Sequence, residues 1–207
     1  FWTVAGDMVG AMIVADINGD GQNEIIIGSD DNEIRVVNGQ GDVLLESTQT
    51  DKVVALCHVK ASRFVYALAN GTVGMYEFAS NTITRKWRVK SKHKVCAIRA
   101  FDINGDNVLE VIIGWSNGRV EVRNADTGEV LCKDTMDAPI SAILEADLRL
   151  DNRVQVVVCS KDGEVRGYVQ SHGVVKTDDT KAEEEEAALV ALNQTKQELL
   201  CELQNYE

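Results

Sequence analysis

The chain has 207 residues, 44% of them hydrophobic, one proline and a formal net charge of -12, a composition that excludes a disordered or collagen-like polypeptide. No apolar run approaches the length of about 18 residues that a membrane-spanning helix needs. The negative charge repels phosphate backbones and makes nucleic acid a poor default partner for the molecule as a whole, a local basic patch aside.

From the N-terminus, the first clear unit is "DINGDGQNEIIIGSDDNEIRVV", which begins at Asp16: a loop, an apolar strand, a glycine, a turn and an alternating strand. It recurs as "VYALANGTVGMY" from Val65, "DINGDNVLEVIIGWSNGRVEVR" from Asp102 and "DLRLDNRVQVVVCSKDGEVRGY" from Asp147. The first residue after each turn, Ile34, Val73, Val120 and Val165, returns at intervals of 39, 47 and 45 residues. Apolar spacing inside the units is two, as in Ile34 and Val36 against Glu33 and Arg35, so the units are strands and not helices. A period of about 40 to 50 residues with several short strands predicts an all-β propeller, because a single blade buries its faces only against its neighbours. About four blade equivalents fill residues 1–170. Phe1-Trp2-Thr3-Val4 precedes Val9 as Lys86-Trp87-Arg88-Val89 precedes Val95, so residues 1–5 read as the outer strand of a blade that begins upstream.

Beyond the strands, residues 171–184 read as an acidic linker. Glutamates 183–186 then suit a helix start. Leu189, Leu192, Lys196, Leu199, Leu203 and Tyr206 follow a 3-4-3-4-3 spacing, the seam of a partner-binding coiled coil that starts within residues 185–207. Lysine at a core position disfavours a homodimer and favours a partner with an acid opposite.

Four groups of residues carry candidate chemistry. Asp16, Asn18, Asp20 and Glu24 offer side-chain oxygens and Gln22 a carbonyl, the hard donors that calcium takes; the alternative is a turn in which Asp and Asn cap their own amides. Asp102, Asn104, Asp106 and Glu110 repeat the pattern with Asn107 in place of Gly21, whereas the Asp147 loop carries Arg149 and Arg153 and reads as structural. "TRKWRVKSKHK" gathers Arg85, Lys86, Arg88, Lys90, Lys92 and Lys94; on a strand, residues 86 to 94 of even number would share one face. That face is either a solvated edge protected by lysines, or a contact through Arg88, Lys90, Lys92 and Lys94 for acidic subunits or anionic headgroups. The five cysteines have no C-x-x-C spacing and read as reduced, buried thiols of an intracellular protein. His58, His93 and His172 stand in no fixed relation to a nucleophile, and no phosphate loop appears, so the chain does not read as an enzyme and requires no cofactor.

The strings "FWTVAGD", "SRFVYALANGTVG", "WRVKSK", "IIGWSNGRVEVR" and "DGEVRGY", with the closing "LLCELQNYE", resemble the Bardet-Biedl syndrome 2 family of BBSome subunits through essentially the whole chain. The resemblance implies a scaffold subunit of a coat that moves membrane proteins to and from the cilium. It implies a coiled-coil heterodimer with the seventh subunit, contact with the ninth, and recruitment through a small Arf-like GTPase. It also implies residence in the cytoplasm, at the basal body and centriolar satellites, and peripherally at the cilium membrane. The competing reading is a calcium-dependent ligand-binding propeller of integrin (FG-GAP) type, to which the Asp16 loop is similar.

Overall fold

A computed structural model describes residues 5–148, 150 and 154–169. The chain divides into two compact units, Phe1–Gln170 and Ser171–Glu207; the expected linker and coiled-coil helix lie outside the described residues, as does the expected strand at residues 1–5 apart from Ala5, which belongs to no strand. Those described are all-β, with fifteen strands and no helix.

Blade 1 is the antiparallel meander β1 (Val9–Ala15), β2 (Glu24–Ser29), β3 (Glu33–Val37) and β4 (Val43–Thr48). Blade 2 comprises β5 (Val53–Lys60), β6 (Arg63–Leu68), β7 (Thr72–Ala79) and β8 (Thr82–Lys90), and blade 3 comprises β9 (Val95–Phe101), β10 (Glu110–Trp115), β11 (Arg119–Asn124) and β12 (Val130–Thr135). Blade 4 shows three strands among the described residues, β13 (Ile140–Ala146), β14 (Gln155–Ser160) and β15 (Val165–Tyr168). First strands of consecutive blades lie side by side, so they form the inner wall of the array.

The strand period of two explains where the core sits. Phe64, Tyr66 and Leu68 of β6 face blade 1 and join Ile26, Ile34 and Val36 in one seam; Val65 and Ala67 face the other way and join Val111, Ile113 and Trp115 of blade 3. Ile112 then turns to blade 4 with Ile140, Val156 and Val158. A middle strand is thus buried on both sides, which is why β6 and β10 read as near-continuous apolar runs. Each fully buried Val, Leu, Ile or Phe contributes roughly 1.5–3 kcal/mol, and in this fold that burial lies at the seams where neighbouring blades meet.

Close approach is required where one blade receives the next. A Cβ on Gly114 would lie 2.5 Å from Cγ2 and 2.9 Å from Cβ of Ile140, and one on Gly28 would overlap the Val53 side chain. The hairpin turns after the second strands use left-handed residues, with Gly71 at φ 80°, Gly118 at 82°, Gly163 at 95° and Asn32 at 68°.

Candidate functional site

In the first acidic loop every carboxylate oxygen has an N–H donor. Asp16 accepts from the amides of Gly19 (2.7 Å, Oδ1) and Gly21 (2.9 Å, Oδ2), and Asp20 accepts from the Gln22 amide (2.7 Å, Oδ1). Glu24, buried at 2% exposure, accepts from the Ile17 amide at 3.1 Å through Oε2. Asn18 donates through Nδ2 to Asp20 Oδ2 and Glu24 Oε1, both at 3.0 Å, while its Oδ1 accepts from the Asp20 amide at 2.8 Å. That acceptance fixes the amide's orientation, with its NH₂ directed at the carboxylates where a cation would need an oxygen. As the side chains stand, calcium does not fit: it would have to displace the Asn18 amide and reorient Asp16. Gln22 donates its backbone amide to the turn.

The second loop repeats this network atom for atom. Asp102 accepts from Gly105 (2.7 Å) and Asn107 (2.8 Å), Asn104 donates to Asp106 and Glu110, and Glu110 Oε2 accepts from the Ile103 amide at 2.9 Å. Asn107 takes φ 63° where Gly21 has 84°, the left-handed geometry its side chain tolerates. Burial is the largest influence on Glu110 and raises its pKa, with Asp106 and Asp102 adding to the rise. In blade 4 a neutral residue holds the same place: Gln155, also buried, accepts the Leu148 amide at 2.8 Å. Arg149 and Arg153 lie outside the described residues.

The basic stretch is divided between strand and loop. β8 ends at Lys90, so Lys92 and Lys94 do not continue a single strand face, and a register slip between Met75 and Tyr76 separates Arg85 from Trp87. Lys86 pairs with Glu77 at 3.2 Å, and Arg88 donates to the Thr50 hydroxyl at 3.1 Å. Arg88, Lys90, Lys92 and Lys94 are exposed and form no ion pair among the described residues. Trp87 faces inward, and its Nε1 donates to the Ala125 carbonyl of blade 3 at 2.7 Å.

The thiols differ from the expectation of uniform burial. Cys57 is buried, Cys96 and Cys159 are half-buried, and Cys132 is exposed, all four of them free. His58 is held by its Nε2 contact to the Ala61 carbonyl at 2.9 Å, and His93 is exposed in the loop after β8. The heptad residues Leu189, Leu192, Lys196, Leu199, Leu203 and Tyr206, and His172, lie outside the described residues.

One repeated feature was legible in the sequence but not singled out there. Val9-Gly10-Ala11-Met12, Val53-Val54-Ala55-Leu56, Val95-Cys96-Ala97-Ile98 and Ile140-Ser141-Ala142-Ile143 open the four inner strands. In each, the register slips across the second residue, a bulge that sharpens the strand's twist next to the axis. The alanines line the opening between the inner strands.

Comparison with known proteins places this architecture. A profile for the ciliary BBSome complex subunit 2, middle region, matches residues 11–123. The chain is 45% identical over 209 residues to the human protein "BBSome complex member BBS2", with all of this chain and 28% of that protein covered. To mouse "BBSome complex member BBS7" it is 21% identical over 214 residues, covering 98% of this chain and 29% of the relative. Among solved structures, BBS1N in complex with ARL6DN shares the fold with a TM-score of 0.66 at 18% identity, covering 80% of this chain and 48% of that one. The chain thus spans little more than a quarter of the BBS2 relative's length. A propeller array matched over more than half its residues by one family profile, and end to end by relatives of the same name, belongs to the ciliary BBSome complex subunit 2 family.

Proposed function

We propose that the chain is a non-enzymatic scaffold segment of the BBSome that serves the movement of membrane proteins to and from the ciliary membrane, and ciliogenesis. The observation that carries this reading is the end-to-end match to BBS2 relatives. The heptad Leu189, Leu192, Lys196, Leu199, Leu203 and Tyr206 pairs with the seventh subunit. The likeness to a BBS7 chain, which covers 98% of this chain, supports that pairing. Contact with the ninth subunit belongs to the same reading, as do residence in the cytoplasm, at the basal body and centriolar satellites, and at the cilium membrane. The fold neighbour was solved in complex with ARL6DN, which supports a small Arf-like GTPase as a partner of the whole complex. The exposed cations Arg88, Lys90, Lys92 and Lys94 are the surface for an acidic subunit or anionic headgroups.

The experiment is Leu199→Asp in the full-length protein. It should abolish the heterodimer with the seventh subunit in analytical ultracentrifugation while leaving the propeller's unfolding transition in place. An equally stable homodimer of the unaltered chain would falsify the heteromeric assignment.

A further inference from the structure

Five Asn-Gly pairs lie in the connections between strands, at Asn18, Asn38, Asn70, Asn104 and Asn117. Such a pair can react with itself: the glycine nitrogen attacks the asparagine side-chain carbonyl carbon, and glycine leaves that nitrogen unscreened because it has no Cβ. Three groups decide the outcome: the glycine N–H, the side-chain oxygen that takes up charge, and the side-chain nitrogen that departs. At four pairs the glycine N–H is already donated. Gly19 and Gly105 give theirs to Asp16 and Asp102, both at 2.7 Å, and Gly71 and Gly118 to the Leu68 and Trp115 carbonyls, both at 3.1 Å. At each of these four, Oδ1 of the asparagine accepts from a single backbone amide among the described residues. The tip of the β3–β4 hairpin differs. Gly39 is exposed, its N–H has no acceptor among the described residues, and a Cβ there would meet nothing within 4 Å. Asn38 Oδ1 accepts from two amides, those of Gln40 at 3.0 Å and Asp42 at 2.9 Å, while its Nδ2 donates to Asp42 Oδ2 at 3.2 Å.

We propose that Asn38-Gly39 is a self-modifying site at which the folded hairpin promotes deamidation, with water as the only co-reactant. The Gly39 nitrogen loses its proton to solvent base and bonds to Asn38 Cγ. Charge then gathers on Oδ1, where the Gln40 and Asp42 amides already point, the arrangement of an oxyanion hole. The Cγ–Nδ2 bond breaks, and the nitrogen leaves as ammonia after taking a proton from water. Water next adds to the five-membered succinimide and opens one of its two C–N bonds, leaving aspartate or isoaspartate at position 38. Asp42 is a positioning residue: by accepting from Nδ2 it keeps the amide oxygen, and not the nitrogen, turned to the two N–H groups. Backbone bonds hold the same loop, from the Asn38 amide to the Asp42 carbonyl and from the Gly41 amide to the Asn38 carbonyl, both at 3.0 Å. The product places a new negative charge beside Asp42. As isoaspartate it also adds one carbon to the backbone next to the register slip between Val36 and Val37.

The test uses the full-length chain, kept for days in mildly alkaline buffer, folded or in urea. Peptide mass spectrometry follows deamidation at all five pairs, and an isoaspartyl O-methyltransferase with labelled S-adenosylmethionine counts isoaspartate. In the folded chain Asn38 should react roughly tenfold or more faster than any of the other four, and at least as fast as it does in urea. In urea the five are the same dipeptide in an unfolded chain, so their rates should lie within about threefold of one another. Asp42→Ala should slow the folded-state reaction at Asn38 about threefold or more without changing its rate in urea, and Asp42→Asn, which keeps an oxygen for Nδ2, should restore most of it. Equal rates at the five pairs in the folded chain, or an Asn38 rate that rises on unfolding, would mean that the bonds to Oδ1 restrain the side chain, and would overturn the proposal. An undiminished rate in Asp42→Ala would remove Asp42 from it. The reaction needs no partner, so its outcome is independent of the scaffold reading.

Discussion

Replacing Gly114 by alanine separates two opposing effects that the seam between blades 3 and 4 sets against each other. In a strand interior, alanine is favoured over glycine by roughly 0.5–1 kcal/mol because it loses less backbone freedom on folding. Here the new methyl would lie 2.5 Å from Cγ2 and 2.9 Å from Cβ of Ile140. Ile140 is β-branched, fully buried and near the start of β13, so it cannot swing aside at χ1. Overpacking of this kind costs about 1–3 kcal/mol, and the net destabilisation expected for Gly114→Ala is about 0.5–2 kcal/mol. Ile140→Ala removes the blocking γ carbons at a cost of about 2–5 kcal/mol, and in that background Gly114→Ala should cost less than in the unaltered protein, although the Cβ that remains still lies 2.9 Å from the new methyl. The coupling energy of the cycle is then about 0.5–2 kcal/mol. Urea unfolding followed by the fluorescence of Trp115, buried at the end of the same strand, reads all four proteins. If Gly114→Ala cost the same in both backgrounds, the close approach of the blades would not be what requires glycine there.

Trp87→Ala should cost about 3–5 kcal/mol in urea unfolding, whereas Trp87→Phe, which keeps an aromatic ring but leaves the Ala125 carbonyl unpaired, should cost about 1–3 kcal/mol; a Trp87→Phe cost near zero would show that the hydrogen bond contributes nothing. Glu110→Gln, which copies Gln155 of blade 4, should alter stability by less than about 1 kcal/mol at pH 7. Because the folded-state pKa of Glu110 is raised above 4.5, ionisation opposes folding, so the unaltered protein should lose stability relative to Glu110→Gln as pH rises from about 4.5 towards 7, and the reverse trend in urea midpoints would refute this. Asp16→Ala releases the amides of Gly19 and Gly21 and should cost about 1–2 kcal/mol with or without millimolar calcium; a calcium-dependent rise in melting temperature that Asp16→Ala abolishes would establish the cation reading instead. Reversing Lys90 and Lys92 to glutamate should weaken complex assembly or binding to anionic liposomes in a salt-dependent way, and unchanged binding in both assays would leave them as solvated edge residues.

The sequence by itself determined the repeat, its strand character and the blade count, because each unit carries its own period-two pattern and its own turn residues. It also fixed the family, since the strings shared with BBS2 relatives are local. Tertiary structure decided what period and spacing leave open. The Asp16 and Asp102 loops have the composition of a calcium site, yet whether their oxygens face a cation or the chain's own amides depends on the orientation of Asn18 and Asn104, which no spacing encodes. The even-numbered cations looked like one face, but the strand stops at Lys90 and slips register within the pair it makes with β7. Cys132 sits in a strand pattern like that of its relatives in other blades, yet among the described residues it is exposed beside a cavity, whereas Trp87 is buried at the neighbouring seam. Local periodicity states which side of a sheet a residue faces. What meets it there is set by a different blade, 40 to 50 residues away, and so only by the packed array.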